Sequence, residues 1–453
     1  MNPTLSQAAE SMQGILHGAD RGFDGVSTDT RTLKSGELFF ALSGPNFEGG
    51  EFVDQADDLG AAAAVVRSLG KDDVAQITVD DTRLALGRLG AAWRHRHAAT
   101  VVGVTGSNGK TTIKEMITAC LSQIAPTLAT AGNLNNDIGM PLMLLRIDPA
   151  HRYAVLEMGA NHAGEIGYLT SLAQPDVVVI SNAGIAHLEG FGSITGIAHG
   201  KGEILQGDTR PQCAILNADD EFYQYWLSLV EDIESLSFGL REGADVYANR
   251  IVADRGSTAF CLNLPEAVVD LTLPLAGIHN VRNACAAAAV ATALGVSPEQ
   301  IRAALESIEP VAGRLQPVAC RNSAVLYDDS YNANPESVCA AGDFLVTLSG
   351  ENWLVLGDMF ELGEAAGELH YDTGVALAES HIDRLFAVGD LSRHTIRGFG
   401  SRGEWFASID DLIASVETDI SANVNVLVKG SRGMRMERVV NALRAPEAVR
   451  KKA

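Results

Sequence analysis

The stretch VVGVTGSNGKTT, at residues 101–112, restricts the fold more than any other part of the sequence. An apolar, β-branched run enters a turn that contains glycines, and Lys110 follows where a helix can begin. Glycines at such a turn let backbone N–H groups face phosphate oxygens, and a helix N-terminus stabilises their negative charge. The stretch therefore predicts a strand, a phosphate-binding loop and a helix. The alternative is an ordinary strand-to-helix turn with a solvated lysine.

The spacing of this stretch differs from the usual G-x-x-x-x-G-K-[ST] loop. The residue five before Gly109 is Val104, and Gly103 lies one residue too far away, so that Gly106 has to open the turn. Lys110 can reach the terminal phosphates of a nucleotide, and a threonine hydroxyl beside it can hold Mg²⁺. The predicted phosphate-loop contacts are Gly106, Ser107, Asn108, Gly109, Lys110, Thr111 and Thr112.

Alternating apolar runs and helical patterns predict an α/β protein with three domains. Residues 1–82 hold short strands between turn clusters and form a small α/β domain. Residues 83–312 begin with a linking helix and form a P-loop ATPase-type parallel sheet, in which residues 245–275 read as an antiparallel patch. The alternation over residues 313–453 predicts a smaller, Rossmann-like doubly wound domain.

The net charge and the cysteine content restrict which binding partners and which cellular compartment we expect. The formal net charge of −23 disfavours nucleic acid as a partner, since a polyanion would be repelled. The six cysteines are scattered without a C-x-x-C pair, which favours reduced thiols in a cytosol over disulfides or a zinc site. Neither a signal peptide nor a membrane-spanning stretch is predicted. We therefore expect a cytoplasmic protein without membrane insertion, and we expect a monomer.

Ligands of open α/β sheets bind beyond the carboxyl ends of the strands, so polar residues after each apolar run are candidates. Glu157 ends one run, where a buried carboxylate needs a metal such as Mg²⁺ or an ion-pair partner. His187 follows the next run, and a structural histidine is the alternative there. Lys201 lies on a predicted helix, and by itself it reads as a solvated surface lysine.

Other polar segments have two readings each. The loop GNLNND at 132–137 can bind a ligand or cap turns, and Asn280 in GIHNVRNACAAA can contact an adenine edge or cap a helix. Arg314 lies at the predicted domain junction, where an arginine can clamp a phosphate. The basic segment VKGSRGMRME, at 428–437, suits an anionic substrate or a solvated helix start.

Taken in order, these segments resemble the Mur ligase family of peptidoglycan synthesis. The resemblance covers all three regions and rests on STDTR, GELFFAL, TGSNGKTT, GNLNNDIGMP, LEMGANHAGEI, AHLEGFGS, KGEI, LNADD, GIHNVRNACAA, GRL, DDSYNANPES, LGDMFELG and KGSRGMRME. The DDSYNANP and LGDMFELG segments favour the member that joins D-alanyl-D-alanine to UDP-N-acetylmuramoyl-tripeptide. The DNPR-type motif of the relative that adds meso-diaminopimelate is absent. One departure is FEGGEF at 47–52, where relatives read closer to DGHDF.

The resemblance implies an ATP- and Mg²⁺-dependent ligase. ATP would phosphorylate the terminal carboxylate of the UDP-linked tripeptide, and the dipeptide amine would attack the acyl phosphate. Lys110, His187 and Lys201 would be catalytic, Lys201 as a carbamylated side chain. The metal positions implied are Thr111, Glu157, His187 and Lys201, and the further nucleotide positions are His279, Asn280, Asn283, Arg314 and Asp329. The substrate positions implied are Ser27, Thr28 and Arg31 at the UDP end, and Asn133, Asn135, Asn136, Ser330, Tyr331, Asn332, Asn334, Asp358 and Glu361 elsewhere.

Three other readings of the chain remain at this point. A folylpolyglutamate synthase-type ligase would share the ATPase architecture, but its phosphate loop is expected nearer the N-terminus. A P-loop switch or motor would not need the polar segments that follow the other strands. A catalytically silent homologue is disfavoured by the presence of Lys110, Glu157 and His187.

Overall fold

The computed structural model describes residues 3–44, 48–70, 74–207 and 209–445. Over these ranges the chain forms three sheets, of five, nine and six strands, each packed against helices. The predicted α/β fold with three units is therefore confirmed. The predicted boundaries at residues 82 and 312 stay a prediction. Within the described ranges, no helix is both long enough and apolar enough to cross a lipid bilayer.

The first sheet has the order β1-β5-β4-β3-β2, with β1 antiparallel to an otherwise parallel sheet. Its strands are β1 Ile15–His17, β2 Gly25–Ser27, β3 Glu37–Phe40, β4 Ala63–Val66 and β5 Gln76–Thr78, and its helices are α1 Leu5–Met12 and α2 Val53–Asp58. Helix α3, Thr82–His95, leads to the second sheet and starts at Asp81, whose carboxylate accepts from the N–H groups of Arg83 and Leu84. Leu86 and Leu89 of α3 pack into the core of the first unit, so the linking helix belongs to both.

The second sheet has the order β14-β13-β12-β11-β10-β9-β6-β8-β7. Its strands are β6 Thr100–Thr105, β7 Thr127–Ala129, β8 Tyr153–Glu157, β9 Val177–Ile180, β10 Cys213–Asn217, β11 Glu234–Gly239, β12 Val246–Ala253, β13 Thr258–Leu264 and β14 Ala267–Leu273. Pairing is parallel from β7 through β12 and antiparallel across β12, β13 and β14, which confirms the antiparallel patch.

Helices cover both faces of this second sheet. They are α4 Lys110–Ser122, α5 Gly139–Leu144, α6 Glu165–Ala173, α7 Leu188–Phe191, α8 Ile194–Gly202, α9 Tyr223–Ser228, α10 Ile278–Ala293 and α11 Pro298–Glu306. The buried alanines of α10 allow that helix to lie close to α4, which begins directly after the phosphate loop. This packing brings the first turn of α10 beside the loop.

The third sheet has the order β15-β16-β20-β17-β18-β19, and only the edge strand β15 is antiparallel. Its strands are β15 Gln316–Ala319, β16 Val325–Asp329, β17 Glu351–Gly357, β18 Arg384–Val388, β19 Gly403–Phe406 and β20 Val424–Lys429. Its helices are α12 Pro335–Leu345, α13 Ala366–Glu379, α14 Ser392–Phe399, α15 Ile409–Asp419 and α16 Glu437–Leu443. The carboxyl ends of β16 and β20 reach Asp329 and Lys429, which line a cleft shared with the second unit.

Candidate active site

A cleft of about 760 Å³ separates the carboxyl edge of the second sheet from the third unit. Its walls include the phosphate loop, the loop at 133–137, Glu157 and His187 on one side, and residues of the segment 329–334 on the other. A second cavity of about 320 Å³ lies next to it and shares Asn108, Gly109, Arg314 and Asp329. The two cavities together therefore surround the phosphate loop.

Two glycines give the phosphate loop its shape. Gly106 and Gly109 have φ angles of 142° and 83°, which L side chains rarely adopt. A Cβ on Gly106 would lie 1.9 Å from the Ser181 hydroxyl, and one on Gly109 would lie 2.5 Å from Asn283 Oδ1. The loop therefore needs glycine at both positions, as the sequence predicts for a turn that begins at Gly106.

Lys110 occupies the first turn of α4. Its Nζ donates to the carbonyl oxygens of Gly106, at 2.6 Å, and Ser107, at 3.1 Å. Burial lowers the pKa of Lys110, and the nearby Glu157 carboxylate acts in the opposite direction. The ammonium group is thus folded over the loop, where phosphate oxygens could replace the two carbonyls as its partners.

Glu157 is buried at the end of β8, and both of its oxygens are engaged. Thr111 donates its hydroxyl to Glu157 Oε2 at 2.8 Å, and Asn135 donates to Oε1 at 2.7 Å. Arg314, from the segment leading to the third sheet, donates to the Thr111 hydroxyl at 3.1 Å. Hard oxygen donors next to a phosphate loop are the ligands that Mg²⁺ prefers.

Protein ligands for a cation are few at this position. Among the described residues, no group of three or more His, Cys, Asp or Glu side chains is arranged to hold a metal ion. A Mg²⁺ ion beside Thr111 and Glu157 would therefore take its remaining ligands from phosphates and water, as is usual for this ion.

Lys201 is a buried lysine on α8, with 1 % of its surface exposed, and its Nζ makes no hydrogen bond. The ring of Phe191 lies next to it, with its centroid 5.1 Å from Nζ. Burial, together with a smaller effect of the charge of Lys110, lowers the pKa of Lys201 to about 7. The interpretation of this residue as a solvated surface lysine is wrong, because α8 turns it into the core beneath the phosphate loop.

His187 follows β9 and contacts Glu361 of the third unit through Nδ1. The contact with His187 lowers the pKa of Glu361, and the burial of Glu361 raises it. The contact has the larger effect, so the pKa of Glu361 lies below its usual value. The backbone N–H of Glu189 also donates to the Glu361 carbonyl at 3.2 Å. His187 and Glu361 therefore join the two walls of the cleft.

The second cavity contains the predicted nucleotide residues of α10. His279, Asn280 and Asn283 line it, and Asn283 Nδ2 donates to Asn280 Oδ1 at 3.2 Å. Burial lowers the pKa of His279 to about 4, which keeps the imidazole neutral at pH 7. Amides and a neutral imidazole can both donate and accept hydrogen bonds, as the edge of a purine requires.

The third unit also contacts the phosphate loop directly. Asn334 Nδ2 donates to Asn108 Oδ1 at 2.9 Å, and Glu336 Oε1 accepts from the Ile185 N–H at 3.0 Å. Asp329 accepts from Lys429 Nζ at 2.7 Å, at the ends of the adjacent strands β16 and β20. The guanidinium of Arg314 lies over the ring of Tyr331, 4.5 Å from its centroid.

Several sequence-predicted residues lie outside both cavities. Ser27 and Thr28 lie at the end of β2, and Arg31 is an exposed side chain paired with Asp29. Ser330 donates to Asp328 at 2.6 Å, and Asp358 accepts from the N–H and hydroxyl of Ser392 at the start of α14. Their proposed contacts to substrate stay predictions. By contrast, six predicted substrate residues do line the larger cleft: Asn133, Asn135, Asn136, Tyr331, Asn332 and Asn334.

Sequence reasoning missed part of the cleft wall. Arg83, Leu84 and Tyr168 line the larger cleft, but no motif of the sequence analysis includes them. Asp137 also lines it; this residue ends the predicted loop GNLNND but was not among the predicted substrate positions. Lys429 and Arg432 of the basic segment line it as well. The sequence indicated these two residues only through the local positive charge of their segment on an acidic chain. A solvated helix start explained that charge equally well.

Comparisons with known proteins agree over nearly all of the chain. Three family models match in order: "Mur ligase family, catalytic domain" over residues 23–94, "Mur ligase middle domain" over 104–291 and "Mur ligase, glutamate ligase domain" over 313–432. The UDP-N-acetylmuramoyl-tripeptide–D-alanyl-D-alanine ligase of Escherichia coli strain K12 is 44 % identical over 443 residues, covering 97 % of this chain and 98 % of the relative.

Solved structures of similar proteins have the same architecture. A crystal structure of MurF from Acinetobacter baumannii has a TM-score of 0.91 and 39 % identity, covering 97 % of this chain and 98 % of that one. The MurF ligase of Thermotoga maritima, solved in complex with ADP, has a TM-score of 0.82 and 27 % identity, covering 92 % and 96 %.

Proposed function

The chain belongs to the Mur ligase family, and we propose from this premise that it joins D-alanyl-D-alanine to UDP-N-acetylmuramoyl-tripeptide. The product is a precursor of peptidoglycan, and the enzyme is an ATP-dependent ligase that forms an amide bond. Full-length similarity to relatives of that name supports this substrate pair. The folylpolyglutamate synthase-type alternative lacks similarity of this extent.

One observation carries the proposal. Lys110, the Thr111–Glu157 pair and Arg314 meet at the bottom of a cleft that both the second and the third units line. A nucleotide bound in the smaller cavity would extend its phosphates along the loop toward this point. A carboxylate and an amine entering the larger cleft would then meet the terminal phosphate away from bulk water.

The chemistry follows from the poor reactivity of a carboxylate. An oxygen of the tripeptide carboxylate attacks the γ-phosphorus of ATP, and ADP leaves with the electrons of the broken bond. The amine of the dipeptide then attacks the acyl carbon and loses a proton, and inorganic phosphate leaves. Lys110 and the loop N–H groups would bind the phosphates, and Arg314, which contacts Thr111, would stabilise the negative charge that develops there.

Mg²⁺ fits the donors beside the phosphate loop. Thr111 and Glu157 would hold the ion, which supplies positive charge to the phosphate oxygens when it is bound. His187 and Lys201 are the further positions that we propose from the family resemblance. For Lys201 this role is supported by three observations: its Nζ is buried, it has no hydrogen-bond partner, and the pKa of the side chain is lowered. A neutral amine can react with CO₂ to give a carbamate, which is an anionic oxygen ligand.

We assign one ligand to each domain. Residues 1–82 would bind the UDP end, 83–312 ATP, and 313–453 the incoming dipeptide. We further propose that the enzyme acts as a monomer in the cytoplasm. The six cysteines are unpaired, which supports a reducing compartment.

Phosphate release with ATP, UDP-N-acetylmuramoyl-tripeptide and D-alanyl-D-alanine, each omitted in turn, tests the proposal. We expect sustained release and pentapeptide product only when all three are present. Turnover that continues without the dipeptide, or no turnover with the complete mixture, would contradict the proposed ligase.

A further inference from the structure

One wall of the larger cleft has no role in the chemistry above. Arg83 of α3 and Asp137 of the loop before α5 form a two-pronged ion pair, with Nε–Oδ2 at 2.7 Å and Nη2–Oδ1 at 3.1 Å. Their side chains remain 52 % and 35 % exposed, and both line the cleft. The pair is therefore formed in the open wall and can exchange partners with a ligand.

The ion pair lies close in the chain to a residue that contacts Glu157, where we place the Mg²⁺ ion. Asp137 is two residues from Asn135, whose amide donates to Glu157 at 2.7 Å. Two residues span at most about 7 Å of chain, which is the reach of one long side chain. Helix α3 also leads back to the first unit, where we place the UDP end. The last residue of the UDP-linked peptide thus has to lie between the phosphate loop and this pair.

The neighbours of the pair complete an amphipathic recess. Leu84 lines the same wall and is 45 % exposed, so it offers apolar contact to methylene groups. Tyr168 also lines the wall, and its hydroxyl lies so close to α3 that a Cβ on Gly87 would be 2.2 Å from it. The recess therefore has an apolar stem region and a charged end with one group of each sign.

We propose that Arg83 and Asp137 recognise the side chain of the third peptide residue and select an end that carries both an ammonium and a carboxylate group. Diaminopimelate has such an end, whereas lysine has the ammonium alone. A zwitterionic end would pair with Arg83 through its carboxylate and with Asp137 through its ammonium, leaving no charge unmatched. The ammonium of a lysine side chain would draw Asp137 away from Arg83, and lysine has no side-chain carboxylate that could pair with Arg83 in place of Asp137. This inference rests on the proposed function.

The experiment compares two UDP-N-acetylmuramoyl-tripeptides that end in meso-diaminopimelate or L-lysine. For the wild-type enzyme we expect kcat/KM to be at least tenfold higher with diaminopimelate. Arg83→Met should raise the KM for the diaminopimelate substrate by about ten- to hundredfold, the effect of losing a charge-assisted hydrogen bond, and leave the KM for the lysine substrate almost unchanged. Asp137→Asn should raise the KM for both, since both carry the ammonium. The KM for D-alanyl-D-alanine should not move.

Arg302 and Glu306 supply matched controls. They form an ion pair on α11, outside both cavities, with nearly the same exposed fractions of 52 % and 34 %. Arg302→Met and Glu306→Gln should leave both KM values unchanged. Arg83→Lys, which keeps the charge but not the fork, should give an intermediate selectivity and covers the case in which Arg83→Met does not fold.

Equal KM changes with both tripeptides in Arg83→Met, or equal use of both by the wild type, would overturn the inference. Such results would mean that the pair binds a part of the substrate that both tripeptides share, or that it only joins α3 to the loop. If the wild type makes no product from either tripeptide, the proposed function fails instead. The two failures are therefore distinguishable.

Discussion

His187 and Glu361 contact each other across the cleft, and both have left-handed backbones, with φ angles of 58° and 63°. A non-glycine residue in this region costs about 1–2 kcal/mol, so the surrounding structure must compensate for two such residues. The compensation includes the bond from the Glu189 N–H to the Glu361 carbonyl. The two residues hold the third unit against the second at the point where the acyl phosphate would form.

Glu361→Gln should therefore reduce turnover. The amide keeps the size of the side chain but loses the charge that His187 meets, and because Glu361 is half exposed we expect kcat to fall only about threefold, equivalent to about 0.6 kcal/mol. Steady-state kinetics with saturating ATP would measure this change. Glu364→Gln, at an exposed position three residues further on, is the control and should leave kcat unchanged. Equal effects of the two variants would argue against the contact.

Domain closure is the second prediction. The third unit contacts Asn108 of the phosphate loop through Asn334 and Glu336, and such contacts cannot form while substrates enter. We expect small-angle scattering to give a smaller radius of gyration with ATP analogue, UDP-tripeptide and Mg²⁺ than without ligands. Identical scattering curves in the two states would show that the C-terminal unit does not swing.

Lys110→Ala should abolish product formation while leaving the binding of the UDP substrate largely intact. We propose that the lysine binds phosphate, since its Nζ lies over the phosphate loop, whereas we place the UDP end in the first unit. Loss of a comparable phosphate-binding cation costs about a thousandfold or more in rate. Product formation by chromatography and UDP-substrate binding by calorimetry would test both halves. Loss of both activities together would indicate misfolding rather than loss of a phosphate contact.

Lys201 should react with CO₂. Its pKa of about 7 leaves a substantial fraction of neutral amine at pH 8, and its Nζ has no hydrogen-bond partner. We expect the enzyme in ¹³C-bicarbonate to give a carbamate signal by ¹³C NMR that is absent from Lys201→Met. A wild-type spectrum without that signal, at pH 8 and with Mg²⁺ and ADP present, would leave Lys201 as an amine.

His279 should make stability depend on pH. Its folded-state pKa of about 4 lies below the ordinary value of 6.5, so between these values the unfolded chain binds a proton that the folded chain does not. The contribution is complete above pH 6.5 and is lost as the pH falls toward 4. From pH 7.5 to 5.5 the free energy of unfolding should drop by about 1 kcal/mol more in the wild type than in His279→Gln.

Urea unfolding at the two pH values measures this difference. His95→Gln, at an exposed position of α3, should behave as the wild type does. If His279→Gln loses as much stability as the wild type, the imidazole is not kept neutral by burial.

The central part of the fold could be predicted from the sequence because its signals are local. β6, the phosphate loop and α4 follow one another where the stretch at 101–112 predicts a strand, a loop and a helix. Strands β7 and β19 were not predicted, since each has four residues or fewer and is held by its neighbours in the sheet rather than by its own pattern.

The site was predictable where one residue type at a strand end is enough to indicate chemistry, as for Glu157. Lys201 was not, because its burial depends on how α8 packs, and the sequence of α8 has only a weak amphipathic pattern. The Arg83–Asp137 pair joins residues 54 positions apart, and only Asp137 lies in a segment that the sequence analysis singled out. Contacts of this kind depend on tertiary structure, which a single sequence does not reveal.

The place of β20 in the third sheet has a consequence for synthesis on the ribosome. β20 lies between β16 and β17, although it is the last of the three to be translated. The sheet therefore cannot close until residues 424–429 have emerged, about 95 residues after β16, which takes roughly 5–20 s at ordinary elongation rates. A nascent chain that stops earlier lacks the central strand of the third sheet and Lys429 with it. Incomplete chains would therefore contain the phosphate loop but not the side of the cleft that the third unit forms.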